Sequence, residues 1–99
     1  MAQNRDQILQ IIAQNKSALR RFGVRALGLF GSAARNENTS ASDLDFLVEF
    51  EKKTFDVYMD LKFFLEDLFG CKVDLVLKDS IKPRLRERIL NETIYATGL

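Results

Sequence analysis

Histidine is absent from this chain of 99 residues, and its absence excludes whole classes of catalytic site. No Ser-His-Asp or Cys-His arrangement can form, and no metal can be held by imidazole nitrogens. Cysteine occurs once, at Cys71, so the chain cannot form an internal disulfide. A single cysteine fits a protein that works in a reducing cytoplasm. Histidine-based and disulfide-based chemistry are therefore both ruled out.

Long hydrophobic runs and a large net charge are also missing. No apolar run approaches the ~20 residues of a membrane span, and the polar start MAQNRDQ predicts no signal peptide. The formal net charge is +1, so no global basic field attracts the protein to nucleic acid or to a membrane. A hydrophobic content of 46% predicts an ordered fold, and the length predicts one domain over residues 1–99. We expect a cytoplasmic protein with neither membrane nor nucleic acid as a direct partner.

The most informative stretch is residues 26–50. An apolar run ends abruptly at Gly31 and Ser32, and a polar loop then leads to Asp43 and Asp45. Because strand side chains alternate between faces, the two aspartates project together. Paired carboxylates are costly to desolvate unless a cation neutralises them, and Mg²⁺ prefers carboxylate and phosphate oxygens. The glycine-serine turn allows close backbone approach and offers a hydroxyl to a phosphate, so the stretch predicts a metal–nucleotide site.

Hydrophobic periodicity predicts the order helix, strand, turn, strand, helix, strand, helix. Helices are predicted over residues 4–21, after Thr54, and over about 82–96, with strands at 26–30, 43–50 and 71–77. This order predicts an α/β (α+β) fold, a small mixed β-sheet with helices on one face. Asp74 is the polar exception in the third strand, and beside the second strand it can lie across from Asp43 and Asp45. Three carboxylates would then converge on the open face of the sheet.

Both halves of the stretch resemble a known signature. Gly-Ser-Ala-Ala-Arg at residues 31–35 and Ser-Asp-Leu-Asp at residues 42–45 resemble the signature of the DNA polymerase β-type nucleotidyltransferase superfamily. The resemblance is strongest to the minimal nucleotidyltransferases (MNT domains), such as the antitoxins of HEPN/MNT toxin–antitoxin systems, and it covers nearly the whole chain. Asn36 departs from the glycine that often follows the arginine, but asparagine tolerates left-handed backbone, so the turn can survive.

This resemblance implies a nucleotidyltransferase-like minimal core and the roles of its acidic residues. Asp43 and Asp45 would bind two Mg²⁺ ions, which clamp the attacking and leaving oxygens in such enzymes. Asp74 would be the third carboxylate, a ligand of the catalytic metal that also helps to deprotonate the acceptor hydroxyl. The reaction would transfer a nucleoside monophosphate from an NTP and release pyrophosphate.

The resemblance also implies nucleotide contacts and a partner. Gly31 and Ser32 would hold the β and γ phosphates, and Arg35 and Ser42 are further candidate nucleotide-binding residues. The substrate would be ATP, and the acceptor a tyrosine on a cognate HEPN-domain RNase toxin, which adenylylation (AMPylation) would neutralise.

Other interpretations stay open at this point. Asp43 and Asp45 could end a turn at a solvated strand edge, and Asp74 could be an edge-strand charge that discourages aggregation. Ser32 could be a helix N-cap, and Arg35 a plain surface residue. In function, the chain could be a non-catalytic antitoxin that masks its toxin. It could also transfer a nucleotide to a small-molecule hydroxyl, although we expect these 99 residues to form only the minimal core, without a substrate-binding domain.

Overall fold

A mixed four-stranded sheet forms the centre of the computed structural model, which describes residues 3–39 and 41–97. The ends of the predicted domain and Ser40 in the polar loop lie outside the described residues. The strands are β1 (Val24–Phe30), β2 (Leu44–Phe50), β3 (Val73–Leu77) and β4 (Ile94–Tyr95). Their order in the sheet is β3-β2-β1-β4; β2 runs parallel to β3 and antiparallel to β1, which runs antiparallel to β4. The predicted small mixed sheet is confirmed.

The described residues also form five α-helices: α1 (Arg5–Gln14), α2 (Lys16–Arg21), α3 (Gly31–Ala34), α4 (Phe55–Phe69) and α5 (Pro83–Glu92). The single helix predicted over residues 4–21 is wrong, because the helix breaks at Asn15. The Asn15 side chain donates a hydrogen bond of 2.7 Å to the carbonyl of Ile11, and such local bonds compete with helix continuation. In the described part of the chain, none of the helices has the length and apolarity needed to span a bilayer.

Local sequence signals set the limits of α4 as predicted. The hydroxyl of Thr54 accepts a hydrogen bond of 3.1 Å from the Val57 amide, which caps the start of the helix. Gly70 ends it with a left-handed backbone, at a φ of +67°. The long helix therefore begins and ends where its capping residues indicate.

The end of α5 differs from the prediction. The helix was predicted to continue to about residue 96, but it stops at Glu92, and Ile94–Tyr95 pair with Gly28 and Leu29 as β4. Isoleucine and tyrosine favour strands when a neighbouring strand is available, and the free edge of β1 provides one. Tertiary pairing thus overrides the local helical pattern over the last residues.

Helices cover the two faces of the sheet unequally. The main core lies on one face, where α1, α2 and α4 contribute Ile8, Ile12, Leu19, Leu61 and Leu65. On the other face α5 packs with a smaller cluster, whose buried members are Phe30, Leu47, Ile81 and Ile89. The predicted layer of helices on one face holds for α1, α2 and α4, but α5 lies on the other face, where Ile89 packs against Phe30 and Leu47. Beyond that cover, the second face carries Asp45 and Asp74.

Candidate active site

The register of the parallel strands β2 and β3 brings two acids together. Asp45 is the direct partner of Asp74 in the ladder, and Leu47 is likewise the partner of Val76. Since residues two apart share a face, both aspartates lie on the face that α5 only partly covers. Asp45 is half-buried and Asp74 is exposed. The predicted placement of Asp74 across from the second strand is therefore confirmed.

Gly31 presses its backbone against the carboxylate of Asp45. It follows Phe30, which pairs with Asp45 across β1 and β2, and its φ is +74°. A Cβ added to Gly31 would lie 2.1 Å from Oδ2 of Asp45. Glycine is needed here twice, for the left-handed backbone and for the close approach. The structure thus joins the two halves of the sequence signature in direct contact.

Ser32 is the second residue of α3, and its hydroxyl does not cap that helix. The N-cap position belongs to Phe30, without a side-chain hydrogen bond, so the N-cap interpretation of Ser32 is wrong. Its carbonyl accepts a hydrogen bond of 2.8 Å from the Glu37 amide, which closes the turn that follows α3. Asn36 adopts a φ of +58° in this turn, as expected for a residue standing in place of glycine. Ser32 therefore shapes the turn through its backbone.

Burial and like charges raise the pKa of Asp45 to about 6. Burial is the larger cause, followed by repulsion from Asp74, Asp43 and Glu92, while Arg35 partly opposes the shift. The ionised form is disfavoured because it is removed from water and surrounded by other acids. A nearby cation would offset the free-energy cost of ionising Asp45. The acidic cluster is therefore suited to binding a positive charge.

The donor set fits Mg²⁺ that arrives with a nucleotide. Within residues 3–39 and 41–97, no three acidic or cysteine side chains stand close enough to hold one ion by themselves. Mg²⁺ in proteins is usually bound by one or two carboxylates and by substrate phosphates, rather than by a complete protein cage. Asp45 with Asp43 or Asp74 supplies those carboxylates, and Gly31, which has no side chain, lets the backbone of the turn lie directly against Asp45.

The other two candidate nucleotide contacts take part in local hydrogen bonds. Arg35 bonds through Nε to Glu37 Oε1 at 2.8 Å and through Nη1 to Glu92 Oε1 at 2.5 Å. The hydroxyl of Ser42 accepts a hydrogen bond of 2.9 Å from the Thr39 amide, just before Asp43. Arg35 thus fixes the end of α3, and Ser42 shapes the approach to the first aspartate.

Glu92 is the residue at this site that the sequence analysis missed. It lies at the end of α5, and its side chain is only 17% exposed, against 51% for its partner Arg35. In the sequence it is one acid among several charges on an amphipathic helix, so no spacing or motif singles it out. Only the packing of α5 beside α3 brings it to the carboxylates.

Comparison with known proteins agrees with this geometry. A family model described as a nucleotidyltransferase domain matches residues 7–96. The chain belongs to this family. This nucleotidyltransferase is 41% identical over 92 residues to the protein adenylyltransferase MntA of Thermococcus cleftensis, a match that spans 91% of the chain and 93% of that protein. The chain is accordingly an enzyme that transfers nucleotides.

Solved structures of similar fold place the nucleotidyltransferase in the minimal class. One described as a minimal nucleotidyltransferase has a TM-score of 0.80 and 38% sequence identity, and the match covers 93% of this chain and 95% of that one. A second describes a tri-AMPylated HEPN toxin of Shewanella oneidensis in complex with an MNT antitoxin. It has a TM-score of 0.64 at 20% identity, covering 92% of this chain and 73% of that one, so the likeness concerns the fold alone.

Proposed function

We propose that this nucleotidyltransferase is a cytoplasmic antitoxin that transfers AMP from ATP, with Mg²⁺, to a tyrosine of a cognate HEPN-domain RNase toxin. The observation that carries the proposal is the pairing of Asp45 with Asp74 on neighbouring strands, directly against the backbone of Gly31. Transfer of a nucleotidyl group needs charge neutralisation and positioning more than covalent chemistry by the protein. The carboxylates and the glycine-serine turn are suited to that work.

The residues would divide the work by position. Asp43 and Asp45 would hold Mg²⁺, which when bound supplies positive charge to the triphosphate and the leaving pyrophosphate. Gly31 and Ser32 would contact the β and γ phosphates. Asp74 is exposed on the open face, where an incoming hydroxyl can reach it, and it would help to take the proton from the acceptor tyrosine.

Two further observations support a protein acceptor. The relative from Thermococcus cleftensis is named a protein adenylyltransferase, and its match extends over nearly the full length of both proteins. The described residues form a single small sheet with its acidic pair at an open face, without an additional layer that would enclose a small-molecule acceptor. A folded partner that presents a tyrosine would supply the missing wall of the site.

The test is to incubate the protein with ATP labelled in its α-phosphate, Mg²⁺ and a candidate HEPN-domain toxin. We expect label on the HEPN protein and loss of its RNase activity, and Asp45→Asn and Asp74→Asn should each abolish the labelling. Glu49→Gln is the matched control, because Glu49 lies on β2 at the end away from Asp45.

The same experiment identifies the competing functions. If the wild-type protein and Asp45→Asn both silence the toxin without label, the protein acts by masking. If label leaves ATP but appears in a small molecule added to the reaction, the acceptor is that molecule. In either case the proposed tyrosine adenylylation is refuted.

A further inference from the structure

An ion pair ties the end of α5 to the turn that contains Gly31. Nη1 of Arg35 lies 2.5 Å from Oε1 of Glu92, while Nε of the same guanidinium is 2.8 Å from Oε1 of Glu37. Two carboxylates on different sides therefore fix the direction of the Arg35 side chain. Charge-assisted hydrogen bonds of this kind are shorter and stronger than neutral ones.

The end of α5 is itself anchored next to the site. Thr93 packs its methyl group over Gly28 of β1, where an added Cβ would lie 2.4 Å from Thr93 Cγ2. Directly after it, Ile94–Tyr95 pair with β1 as β4. Glu92 therefore projects from a segment that is anchored on β1, the same strand that leads into Gly31.

The turn needs such support because α3 is short. It has only four residues, so few of its backbone groups are bonded within the helix. On its other side, Arg5 donates a hydrogen bond of 3.3 Å to the Ala34 carbonyl, and the Asn36 side chain accepts one of 2.9 Å from the Arg5 amide. The turn is thus held between α1 on one side and Glu92 on the other.

We propose that Glu92 is a positioning residue for nucleotide binding: through Arg35 it holds residues 31–36 in the shape that receives the phosphates. Arg35 then supports nucleotide binding indirectly, because it links α5 to the turn and does not itself bind a phosphate. Glu92 is also close enough to Asp45 to repel its charge, which places it at the site and not at a remote surface. The inference rests on the proposed nucleotide transfer at this site.

The experiment compares neutralised and exchanged pairs. Glu92→Gln should weaken binding of Mg²⁺–ATP, measured by titration calorimetry, by about five-fold, as expected from one partly exposed ion pair. Arg35→Gln removes two ion pairs and should weaken binding at least as much. In the transfer assay both should raise KM for ATP with little change in kcat. The triple variant R35E/E37K/E92R exchanges the charges of both ion pairs at residue 35 and should recover most of the affinity that R35E loses. Amide hydrogen exchange in residues 35–37 should rise in Glu92→Gln.

The matched control is Glu49→Gln, which removes the ion pair between Glu49 and Lys78 (3.7 Å) and should leave ATP affinity unchanged. Wild-type affinity in Glu92→Gln together with loss in Arg35→Gln would overturn the inference and make Arg35 a direct ligand. A triple variant R35E/E37K/E92R that binds ATP no better than R35E would also overturn the inference. The binding measurements need no acceptor, so failure to label a toxin would refute the proposed function without deciding this inference.

Discussion

Replacing Asp45 with asparagine should stabilise the protein in the absence of divalent cations, although it removes a residue of the active site. Burial and three neighbouring acids raise the pKa of Asp45 to about 6, against about 3.9 for a free aspartate. At 1.36 kcal/mol per unit, this difference corresponds to roughly 3 kcal/mol as an upper bound. The side chain is only half-buried, so solvent screening reduces the gain to roughly 1–1.5 kcal/mol.

The gain in stability of Asp45→Asn should depend on pH in a defined direction. Folding favours the protonated acid, so the cost of Asp45 is absent below about pH 4 and fully present above its raised pKa of about 6. The advantage of Asp45→Asn should therefore be full at pH 8, shrink through pH 6 and vanish at pH 4. For a domain of this size it corresponds to a rise in Tm of roughly 4–10 °C at pH 8.

Thermal unfolding followed by circular dichroism, in EDTA and across that pH range, measures the effect. Asp43→Asn is the matched control, because Asp43 is exposed and its neutralisation should give a much smaller gain. Adding Mg²⁺–ATP should stabilise the wild-type protein but not Asp45→Asn. A variant that melts at or below the wild-type temperature at pH 8, or a gain that persists unchanged at pH 4, would refute the electrostatic reasoning.

Three further substitutions test the site. Gly31→Ala should lower Tm and abolish transfer, because the added Cβ would lie 2.1 Å from Asp45 Oδ2. Gly23→Ala is the control: Gly23 has a φ of +79° and open space around it, so this change should cost only about 1 kcal/mol of stability in thermal unfolding. Equal losses of stability in the two variants would contradict the close contact between Gly31 and Asp45. Asp74→Asn should eliminate label transfer while retaining most Mg²⁺–ATP binding by calorimetry, and normal transfer would exclude it as the third carboxylate. Ser32→Ala should weaken ATP binding about ten-fold in the same titration, as expected for a lost hydrogen bond to a charged group, and unchanged affinity would leave Ser32 with only its backbone role.

The sequence predicted the parts of the site that depend on the chain's own periodicity. Asp45 and Asp74 could be placed because each interrupts an apolar strand, and strand alternation assigns their faces. Gly31 could be placed because an apolar run ends there. The small mixed sheet, with the third strand beside the second, also followed from the alternation of helices and strands. These features are local, or they need only one assumption about neighbouring strands.

What the sequence could not predict depends on contacts between distant elements. The strand Ile94–Tyr95 has no signal of its own, because it forms only where β1 offers a free edge. Glu92 is brought to the site because the residues that follow it pair with β1, although it is 57 residues away from Arg35 along the chain. The break at Asn15 was misjudged because the apolar positions on both sides still follow one helical period.

The pairing of Asp45 with Asp74 in the ladder links correct folding to activity. A slip of one residue between β2 and β3 would turn Asp45 toward the main core and expose Phe46, which is fully buried. Such a chain would lose its core packing and its acidic pair at the same time. We therefore expect no population of folded but misregistered, inactive enzyme, so that in any preparation the folded fraction should equal the fraction of competent sites.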